Sequence, residues 1–220
     1  MRLTVFGASG GVGREVIRQA KGAQHEVTAV VRDLSRAPDG VTAIRADLAS
    51  DDVTAAADAV ARSDDVISCL GASSKSDIGV AAQATRAVVK AMAASDVRRI
   101  IAISAAPVAR LRAARAGPRQ PSTGDDMLAR LVLYPVIGRL FRSSYADLAE
   151  MEDVLLASGL EWTVVRPPRL TNGPGTGSYR TAMDQNLPHG RWISRADLAD
   201  LLLKLLDQPA TVQHAVGVAY

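Results

Sequence analysis

The chain opens with a short apolar strand that runs straight into a glycine turn and out again as a helix. Leu3-Thr4-Val5-Phe6 is followed by Gly7-Ala8-Ser9-Gly10-Gly11-Val12-Gly13, a G-x-x-G-x-x-G spacing, and Val12, Val16, Ile17 and Ala20 then recur at helical intervals. A strand that stops on glycines and restarts as a helix aims several free backbone N–H groups at one point. The positive end of the helix dipole points there too, which makes a seat for a pyrophosphate. In such a turn Gly7 permits the tight bend, Gly10 lets a ligand approach the backbone, and Gly13 lets the helix pack close to the strand. Gly7, Ser9, Gly10, Gly11, Val12 and Gly13 are therefore the candidate contacts to a dinucleotide. The rival phosphate loop would end in Gly-Lys-Ser/Thr, and Gly13-Arg14-Glu15 does not.

The second strand bears on which dinucleotide. Glu26 to Val31 is apolar and β-branched and ends in Arg32-Asp33. An acidic residue at this strand tip would hold the ribose 2′-hydroxyl of NAD, whereas an arginine suits the extra 2′-phosphate of NADP by charge and by its bidentate fork. Arg32 comes first after the apolar run and Arg36 stands nearby as a second cation, so NADP(H) is expected. Asp33 keeps NAD(H) open.

At 220 residues the chain suits one well-buried domain, residues 1–220. Apolar strands are legible at 3–6, 26–31, 41–45, 65–69, 99–104, 162–166 and 214–219, alternating with helical stretches near 12–21, 51–62, 77–95, 145–158 and 195–207. That alternation predicts an α/β fold, a Rossmann-type doubly wound parallel sheet with helices on both faces. Its ligand would lie outside the carboxyl ends of the strands. One stretch interrupts the pattern. Residues 107–127 are rich in Ala, Arg, Gly and Pro and lead into apolar Leu128 to Phe141. This basic insertion at about 107–141 is either a surface excursion with one packed helix or a lid over the substrate.

Seven arginines against Asp125 and Asp126 give residues 109–142 a charge of +5, while the whole chain carries only +3. No nucleic-acid-reading helix is apparent, so nucleic acid is not the expected partner. No apolar run approaches a membrane span, and strand one begins too early to leave room for a targeting peptide. A lone cysteine, Cys69, excludes an internal disulfide and a cysteine-based metal cluster. His25, His189 and His214 show no ligand spacing, so no metal is expected. A cytoplasmic location follows as the expectation.

Other candidates sit at strand ends. Ser68-Cys69-Leu70-Gly71-Ala72 closes strand four, and Leu70, Gly71 and Ala72 could let the cofactor approach backbone. Asp47, with Leu48 beside it, could accept a hydrogen bond from the adenine amino group, or could simply cap the following helix. Ser104 ends strand five where a hydroxyl would face the nicotinamide; it is the candidate for hydrogen bonding to the substrate. Gly173-Pro174-Gly175-Thr176-Gly177 reads as a turn near the nicotinamide end, with a second phosphate seat conceivable. Trp162 and Trp192 read as core or pocket wall.

Residues 1–104 resemble the NAD(P)-binding half of the atypical short-chain dehydrogenase/reductases. The later strings Asp147-Leu148-Ala149-Glu150-Met151-Glu152, Ser158-Gly159-Leu160-Glu161-Trp162-Thr163-Val164-Val165-Arg166-Pro167-Pro168-Arg169-Leu170 and Ile193-Ser194-Arg195-Ala196-Asp197-Leu198 narrow this. Together they resemble the biliverdin-IXβ reductase/flavin reductase family and its NAD(P)H-binding, NmrA-like relatives. The resemblance covers nearly the whole chain apart from 107–141. It implies hydride transfer from NADPH to a planar, conjugated acceptor such as a flavin or a linear tetrapyrrole. By matched positions it implies Arg32 at the 2′-phosphate, Ser104 beside the nicotinamide and Pro167-Pro168 as the wall of that pocket.

Two departures matter. Arg169 stands where the reductase carries a histidine, and an arginine binds an anion but donates no proton near neutral pH. The wider superfamily's Tyr-x-x-x-Lys pair is absent, because Tyr145 is followed four residues on by Ala149. Without that lysine a tyrosine has no cation to lower its pKa for acid work. Arg169 and Tyr145 remain candidate substrate contacts. Flavin reduction survives these losses better than carbonyl chemistry does. The competing expectation is a non-catalytic NADP(H) sensor of the NmrA-like kind that signals to a regulatory protein partner. A nucleotide-sugar epimerase is disfavoured for want of the Tyr/Lys pair.

Overall fold

The computed structural model describes residues 1–50, 53–71, 79–116 and 142–220. The chain alternates strand and helix in the order β1 (Arg2–Phe6), α1 (Gly11–Gly22), β2 (Glu26–Val31), β3 (Thr42–Arg45), α2 (Thr54–Val60), β4 (Asp65–Ser68), α3 (Val80–Ala93), β5 (Arg99–Ile103) and α4 (Ala106–Ala116). It continues with α5 (Arg142–Leu156), β6 (Glu161–Arg166), β7 (Arg169–Thr171), β8 (Arg180–Met183), β9 (Trp192–Ser194), α6 (Arg195–Lys204) and β10 (His214–Ala219). All seven strands expected from the apolar runs form, with ends shifted by a residue or so. So do the five expected helices; α4 and the short strands β7, β8 and β9 are additions.

Eight strands form one sheet in the order β3-β2-β1-β4-β5-β6-β10-β8. Every pairing in it is parallel except that of β8 with β10. Strand order reverses at β1, whose neighbours are β2 and β4, so the crevice of this doubly wound sheet opens directly above the glycine turn. A separate parallel pair, β7 with β9, sets Arg169 opposite Trp192 and Thr171 opposite Ser194.

Side-chain alternation along the strands divides the interior in two. Phe6, Val30, Val66, Ile100 and Val164 face one side and pack with α2, α3 and α5 through Ala56, Val88, Met92, Met151 and Leu155. Leu3, Val5, Ala29, Ile67, Ile101 and Val165 face the other side and meet α1 and α6 through Val16, Ile17, Leu198 and Leu202. Strands covered on both faces need apolar residues at successive positions, which is why these runs are readable without strict alternation of polarity.

At the amino end of the sheet, buried Arg99 makes a closed network. Its Nη1 donates to Glu161 O at 2.9 Å and to Thr163 Oγ1 at 2.8 Å; its Nη2 donates to Leu205 O at 2.8 Å and Thr211 Oγ1 at 3.1 Å. Burial pulls this guanidinium below its ordinary pKa, partly offset by the charges of Asp65 and Glu161.

Candidate functional site

The glycine turn has the backbone that the spacing predicts. Gly7 sits at φ +70°, and a Cβ there would meet Cys69 O at 2.6 Å. Gly10 donates its N–H to Gly7 O at 3.0 Å, and a Cβ on Gly13 would lie 2.4 Å from that same oxygen. Three glycines thus let two loops and a helix close on one point. Arg14 ties the turn to its neighbour: Nε donates to Ser9 O at 3.1 Å and Nη2 to Arg36 O at 2.9 Å. The glycine turn and the loop after β2 are therefore one braced unit.

Three helix N-termini show where an anion could sit. The α3 terminus is filled: Asp147, buried on α5, accepts from Gly79 N at 3.0 Å, Ala81 N at 3.1 Å and Ala82 N at 2.9 Å. The α6 terminus is capped by Ser194, whose Oγ accepts from Asp197 N at 3.0 Å. The α1 terminus has Gly10 as its N-cap, no side-chain cap and no acidic residue in its first turn. Its donors and dipole are unopposed, and the cradle a Cβ would fill is kept clear by glycine. The residues present fit a dinucleotide's pyrophosphate.

At the tip of β2, Asp33 caps a short 3-10 turn over Leu34–Arg36. Its Oδ1 accepts from Ser35 N at 2.9 Å and Ser35 Oγ at 2.8 Å, and these bonds hold the carboxyl below its ordinary pKa. The acid that kept NAD(H) open is engaged by its own turn. Arg32 and Arg36 are both exposed beside it. Asp47 does not cap the following helix. The N-cap of α2 is Val53, whereas Asp47 is exposed and its Oδ1 accepts from Ala49 N at 3.1 Å in a turn after β3. Leu48 beside it is buried. Leu70 is half-buried and Gly71 exposed at the end of β4, and Ala72 lies outside the described residues. Burial pushes the Cys69 thiol up to about 12, so it is uncharged at neutral pH.

The carboxyl end of β5 carries the second cluster. Ser104 N donates to Val165 O at 2.8 Å, continuing the ladder to β6, and Ala106 N donates to the carbonyl of Pro167 at 2.8 Å. Ser104 and the Pro167 corner are therefore adjacent. Ser104 is only 5% exposed, yet its Oγ finds no hydrogen-bond partner among the described residues. Arg166, just before the prolines, forms a fork with buried Glu152 on α5, Nε to Oε1 at 3.0 Å and Nη2 to Oε2 at 2.6 Å. Arg112 on α4 approaches the same Glu152 at 3.5 Å and pairs with Asp153. This network holds α4, α5 and β6 together behind the Pro-Pro corner.

Tyr145 is half-buried on α5, and burial raises its phenol above the ordinary value. Ala149 is fully buried one turn on. Arg169 is exposed at the start of β7, paired in register with half-exposed Trp192. Trp162 lies in the core, as expected. The basic insertion begins as α4; its remainder, 117–141, on which the choice between surface excursion and lid falls, lies outside the described residues.

The sequence reading missed Asp197. This buried carboxylate accepts from Thr176 N and Gly177 N, each at 2.8 Å, from Thr176 Oγ1 at 2.9 Å, and from Tyr220 Oη. Burial alone would raise its pKa, but the donated bonds hold it below the ordinary value. The amides that could have formed a second phosphate seat already hold a carboxylate. Ser194-Arg195-Ala196-Asp197 is an S-x-x-D string, the one signal that could have flagged this position. No group of His, Cys, Asp and Glu residues suited to a metal occurs among the described residues, and no helix among them is long and apolar enough to cross a membrane.

Sheet order, crevice and glycine turn define a Rossmann-like dinucleotide-binding fold. A family model described as NAD(P)H-binding matches residues 7–209, and the chain belongs to that family. Among curated relatives, a 3-diazoavenalumate denitrifying reductase from Streptomyces sp is 29% identical over 190 residues, 82% of this chain; the chain spans 59% of that relative's length. A Veillonella parvula DSM 2008 short-chain dehydrogenase/reductase (wide type), solved in complex with NADP, has a TM-score of 0.80 at 19% identity, covering 100% of this chain and 94% of its own. SP1627 from Streptococcus pneumoniae TIGR4, a candidate NADH-flavin reductase, gives 0.77 at 23%, covering 100% and 99%. ChuY from Escherichia coli O157:H7, an anaerobillin reductase, gives 0.77 at 22%, covering 100% and 97%.

Proposed function

We propose that this protein is an NADPH-dependent reductase of a small, planar, conjugated acceptor of the flavin kind. The observation that carries this reading is the buried Ser104 hydroxyl without a partner at the carboxyl end of β5. A buried hydroxyl left unpaired costs about 1–3 kcal/mol, and a ligand oxygen or amide would satisfy it. The bound nicotinamide would supply the hydride. In this reading Ser104 orients the acceptor, the Pro167-Pro168 corner walls its ring, and Arg169 draws in an anionic group on it. Pairing of Arg169 with half-exposed Trp192 puts a flat apolar surface beside that charge. Relatives named as reductases, two of them for flavin and anaerobillin, support the choice of acceptor class.

Preference for NADPH over NADH rests on Arg32 and Arg36 and on the capture of Asp33 by Ser35. Arg32→Ala should weaken NADPH by about ten- to a hundredfold, the worth of a charge-assisted contact, and spare NADH. Equal losses for both in calorimetry overturn the assignment. The acceptor class is tested by NADPH oxidation with FMN, FAD, riboflavin and a quinone. Turnover with at least one flavin supports the reading. A raised phenol on Tyr145 and an alanine where an activating lysine would stand favour one alternative, a cofactor sensor working through a protein partner. Tight NADPH binding with no acceptor turned over selects it.

A further inference from the structure

The open end of α1 has a neighbour from the far part of the chain. A Cβ on Gly11, the first residue of α1, would come 2.8 Å from both Cδ and Nε of Arg195. Arg195 begins α6, which packs along α1, and Gln19 Nε2 joins the two helices by donating to Ala196 O at 2.8 Å. Arg195 Nη1 donates to Asn172 Oδ1 at 2.6 Å. The arginine side chain thus lies against the first residue of α1 and is held by a neutral amide. No ion pair joins Arg195 to a carboxylate among the described residues. Asp197, two residues on, is occupied by Thr176, Gly177 and Tyr220. A guanidinium held by a neutral amide, with no ion pair among the described residues, therefore lies beside the first residue of α1, the helix whose donors and dipole are unopposed.

We propose that Arg195, positioned by Asn172, is a pyrophosphate-binding residue that completes the anion seat beside Gly11. Gly11 is glycine so that this side chain can lie there. The proposal rests on a dinucleotide occupying the glycine turn. It is independent of the NADPH preference, because NADPH and NADH share the pyrophosphate.

Calorimetry with NADPH, NADH and adenosine 2′-monophosphate separates the possibilities, since the last has the 2′-phosphate but no pyrophosphate. Arg195→Ala should weaken both dinucleotides by a similar factor, about ten- to a hundredfold, and leave the monophosphate within about twofold. Arg195→Lys keeps the charge without the fork and should lose less. Gly11→Ala suits a helix, so it should preserve the melting temperature while displacing the guanidinium. Its loss of affinity should be seen in the wild-type background and vanish in Arg195→Ala. Arg195→Ala binding NADPH as tightly as wild type overturns the proposal. So does a monophosphate loss equal to that of NADPH, or Gly11→Ala damaging both backgrounds alike. If the preference for NADPH is wrong, the wild-type ratio of the two dinucleotides shows it and the Arg195 result stands; wild type binding neither dinucleotide sinks the site itself.

Discussion

Strand β5 begins with Arg99 and is followed by Ser104, and the two residues are treated in opposite ways. Arg99 is buried with four hydrogen bonds to β6 and to the segment after α6. Ser104 is equally buried, and its hydroxyl has no partner among the described residues. The same contrast runs across the sheet. At the amino end Arg2 chelates Asp64, and in mid-strand Thr4 Oγ1 donates to Ala59 O at 2.9 Å. At the carboxyl end the α1 donors are uncapped, while α3 has its donors taken by Asp147. A polar group left unsatisfied is expensive, so an end of a sheet that keeps several of them keeps them for something else to satisfy.

The strongest way to break this comparison is at Arg99. Arg99→Met removes a buried guanidinium and its four hydrogen bonds, which should cost about 3 kcal/mol or more. In a chain of this size that lowers the melting temperature by about 6–12 °C. NADPH affinity of the folded fraction should not change, and a selective loss of binding would show that the amino end is not purely structural. Gly13→Val acts at the other end. Its Cβ would lie 2.4 Å from Gly7 O, so the turn must open. NADPH binding should fall by more than a hundredfold, the scale on which a misplaced anion seat loses its charge-assisted bonds. Normal binding by that variant would place the phosphates elsewhere.

Ser104→Ala sharpens the comparison because its two effects should have opposite signs. Removing an unsatisfied buried hydroxyl should leave the melting temperature unchanged or raise it by about 2–4 °C, while acceptor turnover falls. A drop in stability would mean that the hydroxyl has a structural partner after all. The smallest effect belongs to Tyr145→Phe. Burial pushes that phenol above its ordinary value, so it stays protonated between pH 6 and 9 and contributes no inflection to the rate there. Turnover should change by less than about twofold, the expectation where Ala149 stands at the position of the activating lysine; loss of activity would restore an acid role to the tyrosine.

The sheet was largely legible because strands buried on both faces are written as runs rich in β-branched residues, such as Glu26-Val27-Thr28-Ala29-Val30-Val31. The glycine turn was legible because its geometry has few alternatives. Other parts were not. β7, β8 and β9 have three or four residues each, too few for a period to appear. α4 contains Pro107 and runs of Ala and Arg that read equally well as a loop. Within the site, Asp147 and Asp197 act on backbone amides far away in sequence, and nothing near them announces those partners. Half of the S-x-x-D signature is conventional, since Ser194 caps α6. The other half is diverted, because the Asp197 carboxylate turns outward to hold Thr176 and Gly177. Arg195 escaped notice for the same reason: its significance lies in Gly11, at the other end of the chain.

The two interiors on either side of the sheet have a consequence for how this molecule can change. Met92 and Leu198 belong to different apolar clusters separated by a shared wall of strands. A void opened behind α3 is screened from α6, so damage on the two sides should add rather than compound. The layer under α1 and α6 supports the helices at the glycine turn, and its shape is tied to what binds there. The layer under α2, α3 and α5 meets the site at other points, through Leu48 and Leu70 and through Glu152 behind the Pro-Pro corner.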